Sequence, residues 1–215
     1  MKLAVRNLGI NVPYQEGLTI QQELLAQRIA GQIPNTLLLL EHRPVYTIGR
    51  SRNQSSLQDP NLLPHPVHVI SRGGQATYHG PGQLVGYPII DLHPLGKDLH
   101  HYLRLLEDSL IEFCHHLHVS ASRRKGLTGI WVEDRKLASI GVGVKKWVTY
   151  HGFALNLQTQ SLPPFQAITP CGLDGVSMTS LASEGASQQE LTDCFKNYPK
   201  FLETTLTSHS NKGTS

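Results

Sequence analysis

Apolar positions recur along the chain in two periods, and each change of period marks an element. Residues 3–10 alternate weakly and predict an edge strand. Thr19 and Gln22 stand at a capping-box spacing and predict a helix opening there and reaching Ala30, with Gly31 as its C-terminal cap. Residues 36–41 form a continuous apolar run, which suits a buried strand, and a second strand is expected at 45–48. Residues 51–66 are polar, contain Pro60, Pro64 and Pro66, and read as a long loop. Short strands are expected at 67–70 and 84–92.

The second half is more regular. Leu99, Leu103, Leu106, Leu110, Cys114 and Leu117 are three or four residues apart and predict an amphipathic helix over 99–117. Residues 128–132, 136–144 and 147–157 have β character. Turns at Glu133-Asp134-Arg135 and Lys145-Lys146 make them an antiparallel meander. Pro163-Pro164 ends it, 168–173 is a tight loop, and 179–181 is a last short strand. Residues 187–206 predict a helix interrupted near Pro199, and a disordered tail is expected from Ser208. The expected fold is α/β (α+β): one domain over 1–207, a mixed β-sheet flanked by helices, followed by the tail 208–215.

Composition narrows the class. The 215 residues are 39% hydrophobic and 16% charged, enough to bury a real core. A net charge of +3, scattered along the chain, argues against a nucleic-acid partner. No apolar run approaches a membrane span, and residues 1–6 lack the apolar region of a signal peptide. Cys114, Cys171 and Cys194 are few and far apart, so a reducing, cytoplasmic setting is expected rather than a disulfide framework. Among the twelve histidines, His118 could share a helix face with Cys114, but no second ligand pair has a suitable spacing. A structural zinc needs four ligands, so no metal is expected.

The densest chemistry lies in Arg72-Gly73-Gly74-Gln75-Ala76-Thr77-Tyr78-His79-Gly80-Pro81-Gly82-Gln83. Its glycines allow unusual backbone angles and close approach, and between them stand groups that bind or transfer protons. It is neither a Walker loop nor a dinucleotide fingerprint, because the sequence after it reads as a strand. Cys171, between Pro170 and Gly172, sits in a tight turn that would expose its sulfur, whereas Cys114 falls on a helix's buried stripe. A nucleophilic cysteine needs a base or cation to become a thiolate. His79, His151 and Lys136 are the candidates. The small residues Ala138, Ser139, Gly141 and Gly143 after Lys136 leave room for a ligand or a close backbone.

Four stretches, taken in order, resemble the lipoyl(octanoyl) transferases: 72–83, Arg135-Lys136-Leu137-Ala138-Ser139-Ile140-Gly141, His151-Gly152-Phe153-Ala154-Leu155-Asn156, and Pro170-Cys171-Gly172. Residues 42–47 also look like the family's early strand, with Arg43 where a proline is usual. The resemblance covers residues 5–185. It implies the fold of biotin and lipoate ligases and transfer of an octanoyl group from octanoyl-acyl carrier protein to a lysine of lipoyl domains. Such domains occur in 2-oxoacid dehydrogenase E2 subunits and glycine cleavage H protein. It also implies a monomer that needs neither ATP nor a metal.

Cys171 matches the acyl-thioester cysteine and Lys136 the lysine that activates it. A lysine desolvated beside an apolar channel gives up its charge more readily. Arg72, Gly73, Gly74, Gln75, Ala76, Thr77, Tyr78 and His79 match stretches lining the acyl and pantetheine channel, as do Ser139, Ile140, Gly141, Gly152, Phe153 and Ala154. His79 has two readings, one orienting the acyl group or the cysteine, the other structural within its loop. The rival activities are an ATP-dependent lipoate or biotin ligase, a cysteine thioesterase, and a carrier-binding module without chemistry.

Overall fold

The computed structural model describes residues 1–49, 63–169 and 175–210. Strand β1 (Leu3–Asn7) is the predicted edge strand. Helix α1 (Tyr14–Ile29) begins after Pro13, well before the predicted start, and Pro13 supplies no side-chain cap. Thr19 lies inside the helix, where its hydroxyl donates to the Gln15 carbonyl at 3.0 Å, the bond a mid-helix threonine makes one turn back. The Thr19–Gln22 spacing is therefore not a cap. Gly31 does close the helix. Its φ is +71°, its N–H donates to the Arg28 carbonyl, and the Gln32 N–H reaches the Gln27 carbonyl, which makes a Schellman motif.

Strand β2 (Asn35–Leu40) is buried along its whole length. Strands β3 (Val45–Ile48) and β4 (Val67–Val69) follow, and residues 50–62 of the predicted loop lie outside the described residues. Strand β5 (Ala76–His79) corrects the reading of 72–83 as loop throughout. All four of its residues are buried and pair antiparallel with β3, with Thr77 opposite Thr47. Its β-branched and aromatic residues suit a buried pleat, and the flanking glycines mask that signal.

Strand β6 (Gln83–Ile89) leads towards α2 (Leu99–His116), whose N-cap Asp98 accepts from the His101 N–H at 2.9 Å. The meander is β7 (Ile130–Val132), β8 (Arg135–Lys145) and β9 (Val148–Asn156). Arg135 belongs to β8 rather than to the turn. The second turn is Lys146-Trp147, with φ of +50° and +61°, the primed geometry that matches strand twist. No strand forms at 179–181; Met178 makes only a parallel bridge to Lys136. Helix α3 (Gln188–Ser210) runs through Pro199, because fully buried Tyr198 and Leu202 hold it in place across the missing N–H. It extends through Ser210, into the segment assigned to the tail, and 211–215 lie outside the described residues.

The large sheet has the order β1-β2-β6-β9-β8-β7, with only β1 and β2 parallel. Alternation along β2 sends Leu38 and Leu40 towards α1, and Leu37 and Leu39 towards α2 and α3. That two-sided burial is why β2 reads as an unbroken apolar run. A second sheet, β4-β3-β5, has its own core of Tyr46, Ile48, Tyr78, Phe165 and Ile168.

Strands β6 and β9 approach each other closely at Gly86 and Gly152. A Cβ on Gly152 would fall 2.2 Å from the Gly86 carbonyl oxygen and 2.5 Å from Pro88 Cδ. Gly152→Ala is expected to destabilise the protein by about 1–3 kcal/mol, as overpacking does. At about 2–4 °C per kcal/mol for a chain of this size, the melting temperature followed by circular dichroism should fall by several degrees. An unchanged melting temperature would contradict the close approach of the two strands.

Candidate active site

The Gly-rich segment, β8 and β9 enclose one cavity over a floor from α1 and β6. Its lining is Tyr14, Ile70, Arg72, Gly74, Thr77, His79, Tyr87, Ser139, Ile140, Gly141, His151, Gly152, Phe153 and Ala154. The β8–β9 register makes Ser139–Ala154, Ile140–Phe153 and Gly141–Gly152 consecutive cross-strand pairs. Two stretches that are separate in sequence are thus one patch of sheet.

The predicted residues Arg72, Gly74, Thr77 and His79 join them, but Gly73, Gln75, Ala76 and Tyr78 do not line the cavity. Successive residues of a strand face opposite ways, so β5 directs Thr77 and His79 to the cavity, and Ala76 and Tyr78 to the second-sheet core. Gly73 spends its N–H on the Val142 carbonyl at 3.0 Å, and the Gln75 carbonyl accepts from Arg72 at 2.8 Å. Tyr14, Ile70 and Tyr87 were missed by sequence reasoning, and His151 was weighed only as a base. Tyr14 lies ahead of the predicted helix, and Tyr87 reads as one more aromatic in a strand.

Arg72 is the cation of the site and is 8% exposed. Its guanidinium donates to the carbonyls of Gly73, Thr47 and Gln75 and to the Thr47 hydroxyl, at 2.8–3.1 Å. Around it stand imidazoles and phenols. Burial, reinforced by the neighbouring His42, Arg72 and His151, holds the His79 pKa well below the usual range. Burial also pushes His42 down to about 4, against the Val12 carbonyl, which favours its protonated form. His42 Nδ1 lies 3.1 Å from that carbonyl and must donate to it, so Nε2 accepts from the Tyr87 hydroxyl at 2.7 Å. Tyr87 is raised well above the ordinary phenol and Tyr14 to about 12, both chiefly by burial. At neutral pH His42, His79, Tyr14 and Tyr87 are therefore uncharged.

Three polar atoms on the cavity wall are unsatisfied among the described residues: Thr77 Oγ1, His79 Nδ1 and Ser139 Oγ. The three side chains are 4%, 7% and 9% exposed. Buried polar groups are nearly always hydrogen-bonded, so a cavity that leaves three unmet is prepared for a polar ligand.

Lys136 lies on β8, three residues before Ser139, and is 1% exposed. It is not a lining residue of this cavity. Its Nζ sits 5.2 Å from the centroid of the Trp131 ring. Its backbone N–H donates to the Ser177 carbonyl at 2.8 Å, and its carbonyl accepts from the Thr179 N–H at 2.9 Å. Asn156 steadies the same segment, accepting from Gln83 Nε2 and donating to the Thr179 carbonyl, both at 2.9 Å.

Cys171 falls within 170–174, which lie outside the described residues. On its two sides Ile168 and Met178 pack on the second-sheet core. Cys114 and Cys194 are fully buried, and burial raises both thiols, Cys194 to about 12. Neither is a thiolate near neutral pH. Among the described residues no group of three His, Cys, Asp or Glu side chains is placed to hold a metal, and no helix is long and apolar enough to cross a membrane.

The architecture is that of protein ligases for lipoate and biotin. It superimposes on lipoate-protein ligase A bound with ATP with a TM-score of 0.65 at 13% identity, over 98% of this chain and 94% of that one. On the biotin protein ligase of Aquifex aeolicus the TM-score is 0.54 at 12% identity, over 99% and 71%. The family described as lipoyl protein ligase A/B catalytic domain matches residues 13–198. An octanoyltransferase of Geobacter metallireducens is 51% identical over 181 residues, 84% of this chain and 83% of its own. The fold and the family match define a lipoyl protein ligase A/B catalytic domain. Within that class the chain belongs to the octanoyltransferases, and it is an acyltransferase.

The neutral His42 generates a pH dependence. Its folded pKa, about 4, lies below the unfolded value near 6.5, so the unfolded chain takes up the proton first as pH falls. Stability is full above the unfolded pKa and is lost between about 6.5 and 4. Between pH 7 and pH 5 this group should remove about 2 kcal/mol, read from urea unfolding midpoints, and His42→Asn should flatten that slope. Tyr87→Phe should cost about 1–3 kcal/mol at pH 7, because it leaves a buried imidazole nitrogen unmet.

Proposed function

We propose that the enzyme takes the octanoyl group from octanoyl-acyl carrier protein onto Cys171 as a thioester and passes it to the acceptor lysine of lipoyl domains. These include the domains of 2-oxoacid dehydrogenase E2 subunits and the glycine cleavage H protein. The observation that carries this reading is the clasp on Lys136. A fully buried lysine is hydrogen-bonded through its backbone to Ser177 and Thr179, on the chain just beyond Cys171. That clasp joins the lysine's strand to residues 177–179, which follow the cysteine in sequence.

The chemistry balances without a cofactor. Lys136 takes the Cys171 proton, and the thiolate attacks the donor's thioester carbonyl. The carrier thiolate leaves and receives that proton from Lys136. The acceptor lysine, as a free amine, then attacks the acyl-enzyme. Its nitrogen loses a proton to Lys136 while Cys171 leaves as thiolate, to be reprotonated. The first step exchanges one thioester for another and the second converts a thioester to an amide, which runs downhill, so neither ATP nor a metal is required. The unspent hydroxyls of Thr77 and Ser139 are available to a thioester carbonyl, and His79 Nδ1 orients the acyl end.

Mass spectrometry tests the intermediate. After mixing with octanoyl-acyl carrier protein, without ATP or acceptor, an octanoyl adduct is expected on the Cys171 peptide, removable by hydroxylamine and chased onto a lipoyl domain. Transfer that occurs only with free octanoate and ATP, or hydrolysis of the donor without an acceptor, would overturn the reading in favour of a ligase or a thioesterase. Cys171→Ala should abolish transfer with the fold intact. Lys136→Ala should lower kcat by about 10²–10⁴-fold, the usual contribution of a positioned base, and slow alkylation of Cys171 by iodoacetamide at neutral pH.

A further inference from the structure

A groove outside the cavity has no part in the chemistry above. One wall is a stripe of α1 that includes Leu18, Gln22, Leu25 and Ile29, and the other is the β8–β9 hairpin at Lys145 and Tyr150. The groove meets the cavity at His151, which lines both. We propose that this groove seats the phosphopantetheine arm of the acyl donor, with the arm's phosphate at Lys145. The proposal rests on the transferase reading and extends it to the donor's recognition.

The walls suit a slender amphiphilic chain. Leu18, Leu25 and Ile29 fall on one face of the helix and give an apolar track. Gln22 is exposed on the same wall and offers an amide to the amides of the arm. The opposite wall is held in shape. Tyr150 lies flat over Gly143, where a Cβ would fall 2.3 Å from the ring, and its hydroxyl reaches the Ser71 carbonyl at 3.4 Å. Ser71 directly precedes Arg72, so the groove delivers its occupant to the cavity's own loop.

Charge selects the occupant. Lys145 is exposed at the groove, Lys146 is exposed beside it, and no described lining residue is a carboxylate. A phosphodiester is attracted there. The acceptor's lysine, carried as an ammonium, is repelled, so the groove fits the donor rather than the lipoyl domain.

The test compares two octanoyl thioesters with a lipoyl domain as acceptor. One is octanoyl-phosphopantetheine. The other is octanoyl-N-acetylcysteamine, which keeps only the thioester end of the arm. The wild type should prefer the longer donor in kcat/KM. Ala26→Trp, at the exposed rim, and Lys145→Glu should each reduce that preference by about tenfold, equivalent to about 1.4 kcal/mol. The effect of Lys145→Glu should fade with added salt, as an exposed charge contact does. Variants that lower both donors equally, or that raise only the KM for the lipoyl domain, would overturn the assignment. So would a wild type that uses both donors without preference, which would leave the transferase reading standing. A wild type that transfers from neither thioester overturns the transferase reading itself, and the groove's role with it.

Discussion

The Arg72 guanidinium is buried where the two sheets meet, and its hydrogen bonds fix its loop to the smaller of them. It reaches the Thr47 carbonyl and hydroxyl on β3 and the carbonyls of Gly73 and Gln75 in its own loop. Gly141 lets it lie against β8, since a Cβ there would fall 3.1 Å from Arg72 Cδ. The Gly73 N–H completes the join to β8 through the Val142 carbonyl. A buried charge is tolerable only when its donors are met, so the loop must hold the shape that meets them. A lysine could not replace it, because a point charge lacks the planar fork that spans several acceptors.

The electrostatics of the cavity follow from that placement. The fixed positive charge of Arg72 disfavours protonation of His79, in the same direction as its burial, and burial alone dominates at His42. The result, among the described residues, is the Arg72 cation beside neutral His42, His79, Tyr14 and Tyr87. Such a setting suits an uncharged thioester. In the proposed reaction it also suits the acceptor amine in the unprotonated form, the only form that is nucleophilic. Thr77, His79 and Ser139 add hydrogen-bonding capacity without adding charge.

The fold hosts more than one chemistry. Ligases with which this chain shares 12–13% identity have the same sheet, so the sheet alone does not define the reaction. The acyltransferase assignment comes from identity of about half to octanoyltransferases over most of the chain, and from the family match over residues 13–198.

Elements whose signal is local were legible in the sequence. The period of α2, the apolar run of β2 and the meander β7–β9 each depend on neighbours a few residues away, and so does the Schellman glycine at 31. The stretches 72–79, 139–141 and 152–154 were legible as candidate binding segments by their glycines and by family resemblance. What only the tertiary structure decided is set across long separations. α1 starts at Tyr14 because its face is needed under β6 and β9, α3 runs through Pro199 because Tyr198 and Leu202 are buried, and β5 is a strand because β3 offers it a ladder. The side chains that line the cavity within β5 follow from that pairing, and Tyr14 and Tyr87 enter it from elements 73 residues apart. Periodicity records which face of an element is apolar. It carries no record of which distant element will cover that face, because that contact is made only when the chain closes on itself.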